Sequence, residues 1–180
     1  MSSKETFKLI NPSMDYEKEI RSFRQEFITN GGDMDGCSSL RKMENIADWI
    51  KEVEDFSSVE TCPVGYVPST QFIYLRENDN KVVGVIKIRH SLNEFLKNYG
   101  GHVGYAVCHS ERRKGYATDM LREVLPICKK LGLEKILVTC KKGNEGSKKV
   151  IKNNNGVYES TVFEPSKQVY LERYWIDLSS

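Results

Sequence analysis

Three successive cations, Arg112-Arg113-Lys114, followed by Gly115-Tyr116-Ala117-Thr118, are the residues of this chain best suited to hold a phosphate. They come after an alternating, strand-like segment, Gly101 to Cys108, and open a helix-like run from Tyr116 to Leu131. The first N–H groups of a helix lack acceptors within it, and the helix dipole is positive at that end, so a multiply anionic ligand is favoured there. Gly115 permits a tight turn and a close approach of the ligand to the backbone. The ATP/GTP loop G-x-x-x-x-G-K-[ST] and the dinucleotide fingerprint G-x-G-x-x-G are both absent. Taken alone, the seven residues also fit a solvated basic turn at a helix start.

Other residues that bear chemistry are scattered. His102 stands at the start of the strand-like segment. An imidazole that titrates near neutral pH suits a general base, and a surface histidine after Gly100-Gly101 suits the same position. Asn144-x-x-Ser147 follows an apolar run, where both types also serve as helix caps. Lys141-Lys142 and Lys148-Lys149 can reach a phosphate or form a solvated face. Asp33-x-Asp35-Gly36 has the beginning of a calcium loop without the remaining ligand positions. His90, His102 and His109 lack metal-ligand spacing, so no metal is expected. The five cysteines are odd in number and lack a C-x-x-C, which favours reduced thiols and a cytoplasmic setting.

Composition narrows the class. The chain has 180 residues, 39% hydrophobic and 29% charged, with a net charge of +2. That is a folded, soluble composition. The small net charge gives no reason to expect nucleic acid or membrane partners. No apolar run approaches a membrane span, and Met1 to Thr6 shows no apolar core of a secretion signal.

The elements that must position these residues follow from periodicity and turn signals. Phe7 to Ile10 reads as a strand stopped at Asn11-Pro12, and Met14 to Ile28 and Met43 to Phe56 read as helices. Gln71–Arg76 and Lys81–Arg89 flank Glu77-Asn78-Asp79-Asn80 as a hairpin. After the strand at 101–108 and the helix at 116–131, which contains Pro126 and should kink there, come a strand at 135–140 and a short helix at 146–153. Two closing strands, 157–163 and 168–178, end the chain. Too few helices alternate with strands for a regular parallel array, so the expected class is α/β of the mixed, α+β kind.

Arg112-x-x-Gly115-x-Ala117 between a strand and a helix resembles the acetyl-CoA loop, [QR]-x-x-G-x-[GA], of the GNAT superfamily of N-acetyltransferases. The element order resembles that superfamily over nearly the whole chain, and Arg173-Tyr174-Trp175-Ile176 resembles the ending of bacterial "predicted acetyltransferase" members. The resemblance implies one GNAT domain over 1–180, with a central mixed, mainly antiparallel sheet of six to seven strands flanked by about four helices. It implies acetyl-CoA as co-substrate and direct transfer of acetyl to an amine of a small molecule or peptide. A homodimer is compatible with it.

The resemblance also assigns roles by position. Arg112, Arg113, Lys114, Gly115, Tyr116, Ala117 and Thr118 would hold the pyrophosphate. Tyr105, Ala106 and Val107 would bind pantetheine through their backbone, on a strand that splays from the next. Asn144 would bond pantetheine and Ser147 would leave room for it. His102 lies close to where some members carry a base. The family's usual proton-donating tyrosine, in a pattern like Asn-x-x-Ala-x-x-Leu-Tyr, falls on Ile151 here, which leaves Tyr158 as the nearest substitute. The acceptor site is expected from the segment between the first two helices and the 60–70 connector. A CoA-binding protein without catalysis and a phosphate-contacting, nucleic-acid or partner-binding domain are the rival readings.

Overall fold

The structure, a computed structural model, describes residues 4–179. Met1–Ser3, part of the stretch read for a secretion signal, and Ser180 lie outside it. The strands are β1 (Phe7–Ile10), β2 (Ser69–Arg76), β3 (Lys81–Arg89), β4 (Val103–Val107), β5 (Lys135–Lys141), β6 (Val157–Glu164) and β7 (Val169–Asp177). The α-helices are α1 (Glu17–Asn30), α2 (Ile46–Asp55), α3 (Tyr116–Lys130) and α4 (Glu145–Asn153), supplemented by 3-10 turns at Met14–Tyr16 and His109–Glu111 and a π turn at Leu96–Gly100. Pro126 sits inside α3, which runs on to Lys130.

The strands form two sheets, ordered β1-β2-β3-β4 and β5-β7-β6, and every paired neighbour is antiparallel. Alternation along β2 and β3, shifted once on β3 by a bulge where Tyr74 pairs Gly84 and Leu75 pairs Val82, divides their side chains between two cores. Ile73, Leu75, Val82 and Val85 face Ile20, Phe23 and Phe27 of α1 and Trp49 and Ile50 of α2. Phe72, Tyr74, Val83 and Ile86 face Met120, Leu121 and Val124 of α3, in a core that continues onto Ile136, Val138 and Tyr174 of the second sheet. Thus α3 and its apolar stripe bind the two sheets together while α1 and α2 cover the first sheet only.

The connection from α1 to α2 is pinned against the first sheet. Trp49 Nε1 donates to the Cys37 carbonyl at 2.8 Å, and Gln71 Nε2 donates to the Gly36 carbonyl at 2.7 Å. The connection rests so closely on β4 that a Cβ on Gly36 would lie 2.1 Å from the Gly104 oxygen. Only glycine fits there.

Candidate active site

The turn before α3 is built by charge pairing. Glu111 is 5% exposed and takes two bonds from Arg76, at 2.9 and 3.0 Å. Lys114 and Lys81 reach it at 2.8 and 3.2 Å. Burial would raise this carboxyl, but the bonds from Arg76, Lys114 and Lys81 outweigh it and hold it down at about 2. Lys114 is therefore committed to Glu111. Arg112 is folded back, its Nε donating to the Val107 carbonyl at 3.2 Å and its guanidinium lying 5.8 Å from the Phe27 ring centre. Arg113 makes no ion pair among the described residues.

The backbone of this turn is shaped for an anion. Arg113 and Gly115 both have positive φ, 63° and 87°. Such an alternation points successive N–H groups into one concavity. No side chain caps α3, and the space beside Gly115 is open: a Cβ there would meet nothing within 4 Å. Tyr116, Ala117 and Thr118 supply the first-turn amides, with the Tyr116 ring buried and its hydroxyl donating to Glu5 at 2.8 Å.

A cleft lies between the two sheets, walled by residues of β4 and β5. β4 and β5 meet only at its closed end. His102 N–H donates to the Leu137 carbonyl at 2.7 Å, and Leu137 N–H donates to His102 Nδ1 at 2.9 Å. Beyond His102, β4 is laddered to β3 on one edge and has no strand partner on the other. Val103, Gly104 and Tyr105 of this strand wall the cleft, and Ala106 and Val107 continue the strand beyond it. The cleft has a volume of about 200 Å³, and Asp35, Tyr105, Thr139, Asn144 and Ser147 are among its walls.

His102 does not fit the role of a base. It is 5% exposed, and its Nδ1 lone pair is occupied by the Leu137 amide. Burial, and then the charge of Arg89, push its pKa down to about 4. A neutral ring whose acceptor nitrogen is in use stitches two sheets rather than taking a proton from a substrate. Tyr158 is misplaced in another way. It lies on β6, the outer strand of the second sheet, half exposed, with its hydroxyl 2.8 Å from Thr161 Oγ1. Ile151 is fully buried in the core, so α4 presents no hydroxyl from that position.

The cleft instead contains Tyr105, whose hydroxyl is 2.6 Å from Ser147 Oγ on the first turn of α4. Burial pushes this phenol's pKa up, with the Ser147 bond acting weakly the other way. Asn144 caps α4, its Oδ1 accepting from Ser147 N–H at 3.1 Å, which leaves its amide NH₂ for other partners. Cys140 also lines the cleft, but burial pushes its thiol up to about 11, which disfavours a nucleophilic thiolate.

A second cavity of about 520 Å³ adjoins the cleft and shares Arg89 and Phe95 with it. Ser38, Ser39, Tyr66 and Val67 line it, from the α1–α2 connection and the 60–70 connector. Three residues that sequence reasoning did not single out for chemistry stand at these cavities. Asp35 opens onto the cleft; its surface is exposed, but the groups crowded around it, and then the charge of Asp33, raise its carboxyl. Lys87 and Arg89 project from β3 into the larger cavity. Asp35 was visible only as part of an incomplete calcium pattern. Lys87 and Arg89 alternate with apolar residues in an ordinary strand pattern, and nothing in their spacing marks them. Among the described residues, no group of three or more His, Cys, Asp or Glu is placed to hold a metal, and no helix is long and apolar enough to cross a membrane.

The comparisons agree with this architecture. Residues 25–156 match the family model described as an acetyltransferase (GNAT) domain. No curated protein matches the sequence. Among solved structures, the microcin C7 self-immunity acetyltransferase MccE, in complex with acetyl-CoA and AMP, is similar at a TM-score of 0.68 and 15% identity, covering 95% of this chain and 92% of that one. RimL, a ribosomal L7/L12 alpha-N-protein acetyltransferase in complex with coenzyme A, gives a TM-score of 0.67 at 12% identity, covering 97% and 96%. An N-acetyltransferase from Staphylococcus aureus Mu50 gives 0.66 at 16% identity, covering 96% and 99%. At such identities the structural likenesses establish the fold, and the family model establishes membership: the chain belongs to the GNAT acetyltransferase family.

Proposed function

We propose that the protein transfers an acetyl group from acetyl-CoA directly to an amine. One observation carries this reading. The uncapped turn at the start of α3 follows a strand, β4, whose second edge has no partner strand among the described residues, and Tyr105 of that strand walls a cleft that adjoins a separate side-chain-lined cavity. The turn fits a pyrophosphate: amides of residues 113–118 converge on open space and Arg113 adds a free cation. Asn144 and the open edge of β4 fit the two amides of a pantetheine arm.

Acetyl-CoA supplies an activated acetyl group on a thioester sulfur. The edge amides of β4 stabilise negative charge that grows on the acetyl oxygen. Asp35 accepts the proton that the amine loses as its bond to the acetyl carbon forms. Its raised pKa brings it nearer to the amine's need, and its place on the cleft wall brings it within reach. Tyr105, protonated at neutral pH and oriented by Ser147, donates to the sulfur as the carbon–sulfur bond breaks. His102 acts at one remove, by setting the angle between the sheets.

The test is amine-dependent release of free thiol, measured together with coenzyme A affinity by calorimetry. Asp35→Asn should lower kcat roughly a hundredfold or more and keep coenzyme A affinity, the loss expected for a general base. Tyr105→Phe should lower kcat by a smaller factor of roughly ten, because a thiolate leaves tolerably without an acid. Coenzyme A binding with no turnover of any amine would leave a binding protein without catalysis. An unchanged kcat in Asp35→Asn would remove that residue from the reaction.

A further inference from the structure

Lys87 and Arg89 stand two residues apart on β3, so their side chains leave the same face of the strand. Both line the 520 Å³ cavity. Lys87 is only 9% exposed. Its Nζ bonds Ser38 Oγ and lies 4.6 Å from the centre of the Phe56 ring. Arg89 Nη1 donates to the carbonyls of Gly100 and Gly101 at 3.3 and 3.1 Å. Neither cation forms an ion pair with a carboxylate among the described residues. Glu52 is the one acidic side chain on the cavity wall, and its two oxygens are taken by the backbone N–H and the hydroxyl of Ser39. Asp35 faces Arg89 from the adjoining cleft, beyond ion-pair distance.

Two neighbouring, largely desolvated cations that no carboxylate contacts, with Glu52 and Asp35 acting on them only at longer range, are costly to fold, because each loses water and repels the other. An apolar pair of similar size would pack there at less cost. The arrangement becomes favourable when an anion enters between them, where charge-assisted bonds are strong. Besides Ser38, Ser39, Glu52 and Asn93, the wall carries an apolar and aromatic surface from Phe56, Tyr66, Val67, Phe95 and Leu96. The end of the cavity nearest the cleft is formed by Arg89 and Phe95, so a molecule anchored on the two cations has one flank toward the site of transfer.

We infer that the acceptor is an amine that also carries a carboxylate, as an amino acid does, bound through Lys87 and Arg89 with an apolar portion against Phe56, Tyr66 and Phe95. This deepens the transfer reading and rests on it for the amine alone.

The experiment compares acceptors that differ only in the carboxylate: phenylalanine with phenethylamine, leucine with 3-methylbutylamine, and 4-aminobutyrate with butylamine. In at least one pair the acid should have a KM lower by about ten- to a hundredfold, the range of a hydrogen bond to a charged group. Lys87→Met should abolish that preference, and Lys87→Arg should keep it. A second measurement is independent of turnover: calorimetric titration of 3-phenylpropionate and 4-methylpentanoate, which lack the amine, into the coenzyme A complex. Binding of either to the wild type and not to folded Lys87→Met supports the anion site. If that binding is seen while no amine is acetylated, the anion site stands and the transfer reading falls. Turnover of amines without regard to a carboxylate would keep transfer and overturn this inference, and so would failure of both acids to bind.

Discussion

The turn before α3 and the cavity beside β3 are both rich in cations, and they treat them in opposite ways. At the turn, Arg76, Lys81 and Lys114 converge on one buried carboxylate, Glu111, while Arg112 folds back on the Val107 carbonyl and Arg113 makes no ion pair among the described residues. In the cavity, the buried Lys87 and the half-buried Arg89 have hydroxyl and carbonyl partners but no carboxylate in contact among the described residues. Paired charge shapes a backbone: here it holds the loop in the conformation with positive φ at Arg113 and Gly115. Unpaired buried charge is a cost that a ligand relieves. Counting lysines and arginines therefore misjudges both places, overstating side-chain binding at the turn and missing the cavity.

The contrast is sharpest at Glu111. Glu111→Gln should lower the free energy of unfolding by about 3–5 kcal/mol, the loss expected when one member of a buried ion cluster is removed and its partners are stranded. Urea unfolding measures it, and a loss comparable to that of a surface pair would show that the cluster is ornamental. Lys87→Met, by contrast, should unfold at the same or higher urea concentration, since it removes a charge that has no counter-ion.

The stitch between the sheets gives the next effect. His102 titrates at about 4 when folded, against a usual value near 6.5. Between these values the unfolded chain binds more protons, so stability rises with pH there. The contribution is complete above roughly pH 6.5 and is lost as pH falls toward 4, amounting to about 3.5 kcal/mol at about 1.4 kcal/mol per pKa unit. His90 and His109 are shifted in the same direction and add to the slope. His102→Asn should flatten most of it. A slope unchanged in that variant would place the pH dependence elsewhere.

Gly115 and Gly132 separate strain from binding. Both have positive φ, 87° and 85°, and neither would bring a Cβ within 4 Å of another group. Each Gly→Ala change should cost about 1 kcal/mol of stability from the left-handed backbone alone. Only Gly115→Ala should also weaken coenzyme A binding, because only that residue opens the anion-binding turn. Equal coenzyme A affinity in the two variants would remove Gly115 from the site. The smallest effect is expected of Arg113→Ala: coenzyme A affinity falls about three- to tenfold, as for a single exposed phosphate contact, with thermal stability unchanged. A larger loss would mean that side chains, and not the amides, carry the phosphates.

The elements themselves were largely readable in the chain. The strand at 81–89 appears with the bounds that periodicity implies, and the helix after Gly115 begins where the loop motif places it. Alternation and helical spacing are local properties, and a turn glycine beside a helix start is a local device, so a sequence read along its length reveals them. Arg112-x-x-Gly115-x-Ala117 could be recognised for the same reason: all its parts are consecutive. What could not be read from the chain depends on partners far along it. His102 is a stitch because Leu137, 35 residues away, offers both an amide and a carbonyl to it. Tyr105 meets Ser147 across 42 residues, and Lys87 meets Ser38 across 49. Whether a histidine is a base or a stitch, and whether a lysine is solvated or buried without a counter-charge, is a matter of which groups the fold brings within about 3 Å, the range in which hydrogen bonds and desolvation act. The local pattern is thus a property of the chain, and the protonation, burial and pairing of its chemical groups are properties of the packed sheets.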